Sequence, residues 1–177
     1  LYMPGNGTIV QAGENSVYVP IYSRPFPPIT GKTQKTICID AFIEPGIGVT
    51  LDQVKSDAAQ TEDIFYKNAL NCNCPHFLKI DVSGMTLSPA DWQTLTDNDN
   101  QISHTNIADM VKNRLPVAPR SACTPVIYTD DITERGSSFR DSETDDLSTQ
   151  GKIGANIMVN NANDIDGRTL AHELAHH

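Results

Sequence analysis

The sequence predicts an α+β domain: a twisted mixed sheet of about four to five strands, one long backing helix, and a helix at the C-terminal end. Three observations predict it. Apolar, β-branched runs recur at 36–43, 76–82, 124–129 and 152–160. From Thr50 to about residue 70, apolar side chains repeat at helical spacing. The stretch from Gly167 onward joins Leu170, Ala171, Leu174 and Ala175 in a second helical pattern.

The elements follow in order. Residues 1–35 read as an extended N-terminal segment or linker. Met3-Pro4-Gly5-Asn6-Gly7 is turn chemistry, and Pro25-Phe26-Pro27-Pro28 breaks regular structure. Between them, 17–22 suits a short edge strand, because Pro20 cannot donate to a ladder. The domain proper is read as 36–177. Its first strand, 36–43, ends at the turn Pro45-Gly46-Ile47-Gly48. Thr50 then caps the long helix, with Gln53 three residues on as in a capping box. Leu51, Val54, Ala58, Ile64 or Phe65, and Ala69 mark its apolar stripe, and Asn71 ends it. The strand at 76–82 is closed by Ser83-Gly84. Ser88-Pro89 opens a short helix, with Pro at the first helical position. Ile107, Met110, Val111 and Leu115 fit another, ended by Pro116. An acidic, Ser/Thr-rich stretch covers 130–146, and turn chemistry fills 161–166 before the last helix.

Composition narrows the function. A chain of 177 residues, 38 % hydrophobic and 20 % charged, suits one folded domain. Lys and Arg number 13 against 22 Asp and Glu, a net charge of −9. Such a surface repels phosphate and argues against nucleic acid as a partner. No apolar run approaches the ~18–20 residues of a membrane span. The first residue is Leu, so the stretch is expected to be processed or cut from a longer chain. The cysteines are Cys38, Cys72, Cys74 and Cys123. An even count in a small acidic domain points to an oxidising, extracellular setting, with two disulfides in any of three connectivities. Cys38, between Ile37 and Ile39, also suits a buried free thiol.

The chemistry is concentrated in His172-Glu173-Leu174-Ala175-His176, an HExxH motif. At 3.6 residues per turn, His172 and His176 lie one above the other on a helix face, where two imidazoles can share one zinc ion. Glu173 is set at an angle to them. It reaches a water on the metal rather than the metal itself. Zinc lowers the pKa of that water to about 7, and Glu173 takes its proton as general base and returns it to the leaving amine as general acid. With this chain's own His and Glu frequencies, HExxH arises by chance in roughly one of two hundred such sequences.

The element order, with Val126-Ile127-Tyr128-Thr129-Asp130-Asp131, Asn156-Ile157-Met158-Val159-Asn160-Asn161 and the HExxH helix, resembles the zincin metallopeptidases, and their metzincin branch in particular. The resemblance covers about 36–177, of which the HExxH core is the specific part. It implies a zinc endopeptidase whose mixed sheet lies above the active-site helix, as an upper subdomain. It also implies an edge strand that holds an extended protein or peptide substrate by main-chain hydrogen bonds. That edge is expected within 139–157.

Catalytic zinc takes three protein ligands and one open position. Metzincins place a third His six residues after the second, beyond a Gly. This sequence ends one residue after His176. The remaining C-terminal part of the peptidase is therefore expected to lie beyond it, and the fragment alone to hydrolyse little. His177 points about 100° around the helix from His176, and His76 and His104 are distant alternatives.

Weaker signals carry alternatives. Cys72, Cys74 and His76 form a tight cluster that suits a second zinc site with Cys123, a thiolate latch on the catalytic metal, or a disulfide-anchored loop. Asp130, Asp131, Glu134, Asp141, Glu143, Asp145 and Asp146 suit either calcium (Ca2+) or a solvated loop, without EF-hand spacing. Two rival functions remain: a zincin-fold toxin or binding module with little general peptidase activity, and a zinc amidase acting on a non-protein substrate.

Overall fold

The computed structural model describes residues 7–12, 15–20, 26–96, 116, 123–130, 136–140, 156–161 and 168–175. Within them, strands β1 (Gly7–Ala12) and β2 (Asn15–Pro20) form an antiparallel pair of their own. The remaining strands are β3 (Thr33–Ile43), β4 (His76–Thr86), β5 (Thr124–Thr129), β6 (Gly136–Arg140) and β7 (Asn156–Asn161). They make one sheet in the order β4-β3-β5-β7-β6. Four strands run parallel, and β6 pairs antiparallel with β7. The helices are α1 (Leu51–Asn71), α2 (Pro89–Leu95) and α3 (Arg168–Ala175).

The mixed sheet, the long helix and the C-terminal helix match the sequence expectation, but the described strands number seven rather than four to five. The additions are β1, which partners the expected strand near 17–22, and β6, which crosses the stretch read as an acidic loop. Of the stretch 139–157 expected to hold the substrate edge, residues 141–155 lie outside the described residues. Among the described residues the edge strand on this side is Gly136–Arg140, and β7 lies inside the sheet. The helix expected at 107–115, the turn at 162–166 and residues 152–155 lie outside the described residues.

Local chemistry accounts for the helix starts. The Thr50 hydroxyl accepts the Gln53 N–H at 3.2 Å, and the Ser88 hydroxyl accepts the Asp91 N–H at 3.1 Å. Between β3 and α1 the chain turns through Gly46 and Gly48, at φ 90° and 78°. β4 does not stop at Gly84 but runs on to Thr86. Gly84 pairs with Ala41, and a Cβ there would lie 2.6 Å from the Ala41 carbonyl oxygen. The glycine marks a close approach of two strands, not a turn.

The second half of β3 is buried without alternation, from Ile39 to Ile43. Continuous burial is what an interior parallel strand needs when both faces are covered. α1 presents Val54 and Ala58 to Ile39, Ala41, Ile43, Val126 and Tyr128, with Phe65 rather than Ile64 packed at the margin. Leu170 and Leu174 of α3 complete this core. Ahead of β3, Phe26 stacks on Tyr66 with ring centroids 4.5 Å apart, and the Tyr66 hydroxyl donates to the Pro27 carbonyl.

Two disulfides are present. Cys38–Cys123 bridges β3 to the residue before β5, and Cys72–Cys74 follows α1. Cys38 is thus not a free thiol, and no described cysteine is left for a second zinc site. No described helix is long and apolar enough to cross a membrane.

Candidate metal centre

α3 is positioned by what it buries. Leu170 and Leu174, four residues apart, sit on one stripe and enter the core, and Ala171 is buried beside them. The helix packs on α1 and touches β6 and β7, so it lies under the β6 side of the sheet. Its phase then decides the chemistry. Arg168, His172 and Ala175 face outward, while Thr169 and Glu173 fall on the buried flank. Successive residues are about 100° apart, so the exposed imidazole and the buried carboxylate leave the same turn in different directions.

Of the predicted site residues, His172 is exposed on α3 and Glu173 is 5 % exposed on the same turn. His176 lies outside the described residues, as do His177 and His104. His76 stands at the start of β4, where its Nδ1 is 2.6 Å from the Thr33 hydroxyl, tied to β3 and not to α3. Among the described residues, no group of three His, Cys, Asp or Glu could hold a metal ion. Of the acids expected to suit calcium, only Asp130 is described. It is exposed, and its N–H donates to Glu44.

The fit to a metal can be judged on Glu173. Its carboxylate is buried, yet among the described residues it has no hydrogen-bond or ion-pair partner. A buried carboxylate without a partner is costly, so the position calls for a polar ligand. His172, one residue earlier, is exposed on the same turn. Among the described residues these two are the part of the motif that is placed, and no group of three ligand-type side chains surrounds them.

Sequence reasoning missed three further buried carboxylates, Asp40 on β3 and two on α1. Asp57 is fully buried and accepts from the Gln53 carboxamide at 3.0 Å and the Tyr128 hydroxyl at 3.2 Å. Its signal was its phase. Val54, Asp57, Thr61 and Phe65 run at helical spacing, so an acid stands where an apolar residue is expected. Glu62 accepts the Ile80 N–H at 2.6 Å from the outer side of β4. Desolvation pushes its carboxyl above the ordinary 4.5, partly offset by the Ile80 N–H and the charge of Lys79. Glu62 also lines a depression of about 230 Å3 with Lys55, Lys79 and Asp81. That depression lies at the β4 edge, whereas α3 lies under the opposite one.

No model of a known protein family matches the chain, and no curated protein matches it. Among solved structures it is similar to the crystal structure of metalloproteinase-II from Bacteroides fragilis, with a TM-score of 0.53 and 12 % sequence identity. The match covers 91 % of this chain and 50 % of that one, so the chain spans half the length of the structure it resembles. At this identity the likeness is one of fold, and the five-stranded mixed sheet with its helices is metallopeptidase-like.

Proposed function

We propose that this chain carries the catalytic helix of a zinc-dependent endopeptidase acting on proteins or peptides, with residues 36–177 as its upper subdomain and an extracellular site of action. The observation that carries the reading is Glu173: a buried carboxylate with no partner among the described residues, beside an exposed His172 in an HExxH sequence. The metalloproteinase-like fold and the two disulfides support it.

His172 and His176 would hold the metal, with a third ligand from outside the described residues. Zinc, when bound, supplies a Lewis acid that polarises the scissile carbonyl and acidifies water. Glu173 does the proton work. Its burial keeps bulk water from competing for the carboxylate. It accepts a proton from the attacking water and delivers it to the departing amine nitrogen. β6 pairs on one side only among the described residues, so its outer edge can receive an extended peptide by main-chain hydrogen bonds. An edge that takes up an extended peptide suits an endopeptidase better than an amidase with a closed cleft.

The test combines metal content with cleavage of a quenched fluorescent peptide library by the full-length protein. Wild type should hold about one zinc per chain. Glu173→Gln should keep the zinc and lose roughly 10²–10⁴-fold in rate. His172→Ala should lose the metal. Undiminished cleavage by Glu173→Gln, or full zinc retention by His172→Ala, would overturn the assignment.

A further inference from the structure

The Cys72–Cys74 disulfide closes across one residue, Asn73, at the exit of α1. Its setting differs from that of Cys38–Cys123 in the exposure of one sulfur and in loop length, while Cys38 and Cys72 are both half-buried. Cys123 is 6 % exposed, whereas Cys74 is at the surface and Cys72 half-buried. The partners of the first bond are 85 positions apart and those of the second only two. A cross-link restrains the unfolded chain more as its loop lengthens, so the short bond contributes the smaller share of stability.

The segment is also held by contacts that do not use sulfur. The Cys72 N–H donates to Asn68, and the Lys32 ammonium donates to the carbonyls of Ala69 and Cys72. The Thr33 N–H donates to Pro75. Both ends of 72–75 stay anchored when the bridge opens.

Two features favour Cys72 as the sulfur that leaves. The Cys74 N–H donates to Cys72 Sγ at 3.2 Å, and the Lys32 Nζ lies 2.6 Å from the carbonyl of the same residue. A donor on the sulfur stabilises a thiolate, and an ammonium held on the backbone carbonyl of the same residue adds favourable charge nearby.

We propose that Cys72–Cys74 is a thiol-exchange site, opened by a dithiol reductant while Cys38–Cys123 stays closed. A thiolate of the reductant attacks Cys74 Sγ. The bond to Cys72 breaks, and its electron pair leaves on Cys72 Sγ. The reductant's second thiolate then attacks its own sulfur in the mixed disulfide and expels Cys74 as a thiolate. The reductant ends as a disulfide, having lost two electrons. The two cysteines have gained them, and take up the two protons that the reductant's thiols released.

The test is graded reduction of the intact protein with dithiothreitol under native conditions, trapping with iodoacetamide and tryptic peptide mapping. Cleavage after Lys67 and Lys79 puts Cys72 and Cys74 in peptide 68–79, apart from Cys38 and Cys123. That peptide should become doubly alkylated at a dithiothreitol concentration roughly tenfold below that which labels Cys38 and Cys123, with circular dichroism unchanged. Parallel labelling of both pairs, or labelling of 68–79 only once the circular dichroism signal collapses, overturns the proposal. Lys32→Gln should slow the opening by about threefold and Lys32→Arg should restore it. Equal rates in Lys32→Gln and wild type overturn the part given to Lys32.

Discussion

Asp57 and Glu62 show how one helix holds two buried acids by different means. Asp57 sits under β5 and shares its carboxylate between Tyr128 and Gln53. Removing the Tyr128 hydroxyl should cost about 1 kcal/mol, the usual net worth of an internal hydrogen bond. Urea unfolding of Tyr128→Phe measures it, and a midpoint equal to wild type would show that the hydroxyl adds nothing. Glu62 behaves differently because burial raises its pKa above 4.5. Below 4.5 the folded and unfolded chains both keep the proton. As pH rises through the folded-state pKa, the unfolded chain releases its proton more readily, so the fold loses stability. Glu62→Gln has no proton to lose and keeps an oxygen for the Ile80 N–H. Its stability should exceed that of wild type at neutral pH and approach it below 4.5. A difference that does not change with pH would refute the assignment.

The edges of the sheet are treated unequally at the level of elements. An edge strand exposes unpaired N–H and C=O groups and invites another strand. At β4, Glu62 reaches from α1 and occupies the Ile80 N–H. β6, at the other edge, lies against α3 and pairs only with β7 among the described residues. Strand addition is thus discouraged on the side away from α3. Register depends on Gly84, which lets β4 pass close to Ala41. A Gly→Ala change at a tolerant site commonly stabilises by about 0.4–1 kcal/mol, through the unfolded chain. Here the new Cβ meets backbone, so Gly84→Ala should reverse that sign and cost about 1–3 kcal/mol. A thermal melt at or above the wild-type midpoint would sink this account.

Across the whole molecule, Cys38–Cys123 is the longest-range covalent tie. It joins β3 to the start of β5, positions brought together by pairing of Ile39 with Thr124. Everything between them, including α1, β4 and α2, lies inside the closed loop. A loop of this length is worth roughly 4 kcal/mol in the chain-entropy account. The double variant Cys38→Ser/Cys123→Ser should therefore unfold at clearly lower denaturant. An unchanged midpoint would mean that the bond contributes little beyond the pairing it follows. Leu170 and Leu174 pack into the same core, so loosening it should also disturb α3 and the Glu173 position.

Much of this protein is written in short-range chemistry. Thr50 and Ser88 mark helix starts because a hydroxyl satisfies an N–H a few residues away, whatever lies beyond. The strands at 36–43, 76–82 and 124–129 follow from local apolar runs, and the HExxH spacing follows from the pitch of a helix. Other features needed partners distant in the chain. Gly84 read as a turn until Ala41 was placed beside it. β6 has a single apolar residue, Phe139, too few for a strand pattern of its own, and is a strand because β7 offers it an edge. Which cysteines pair, and that Asp57, Glu62 and Glu173 are buried, also depend on assembly. Burial is a property of the surface that covers a residue, and that surface comes from segments tens of residues away. Periodicity and caps are set within a turn or two of chain, so they survive in the sequence, while the environment of a charge exists only once the layers have packed.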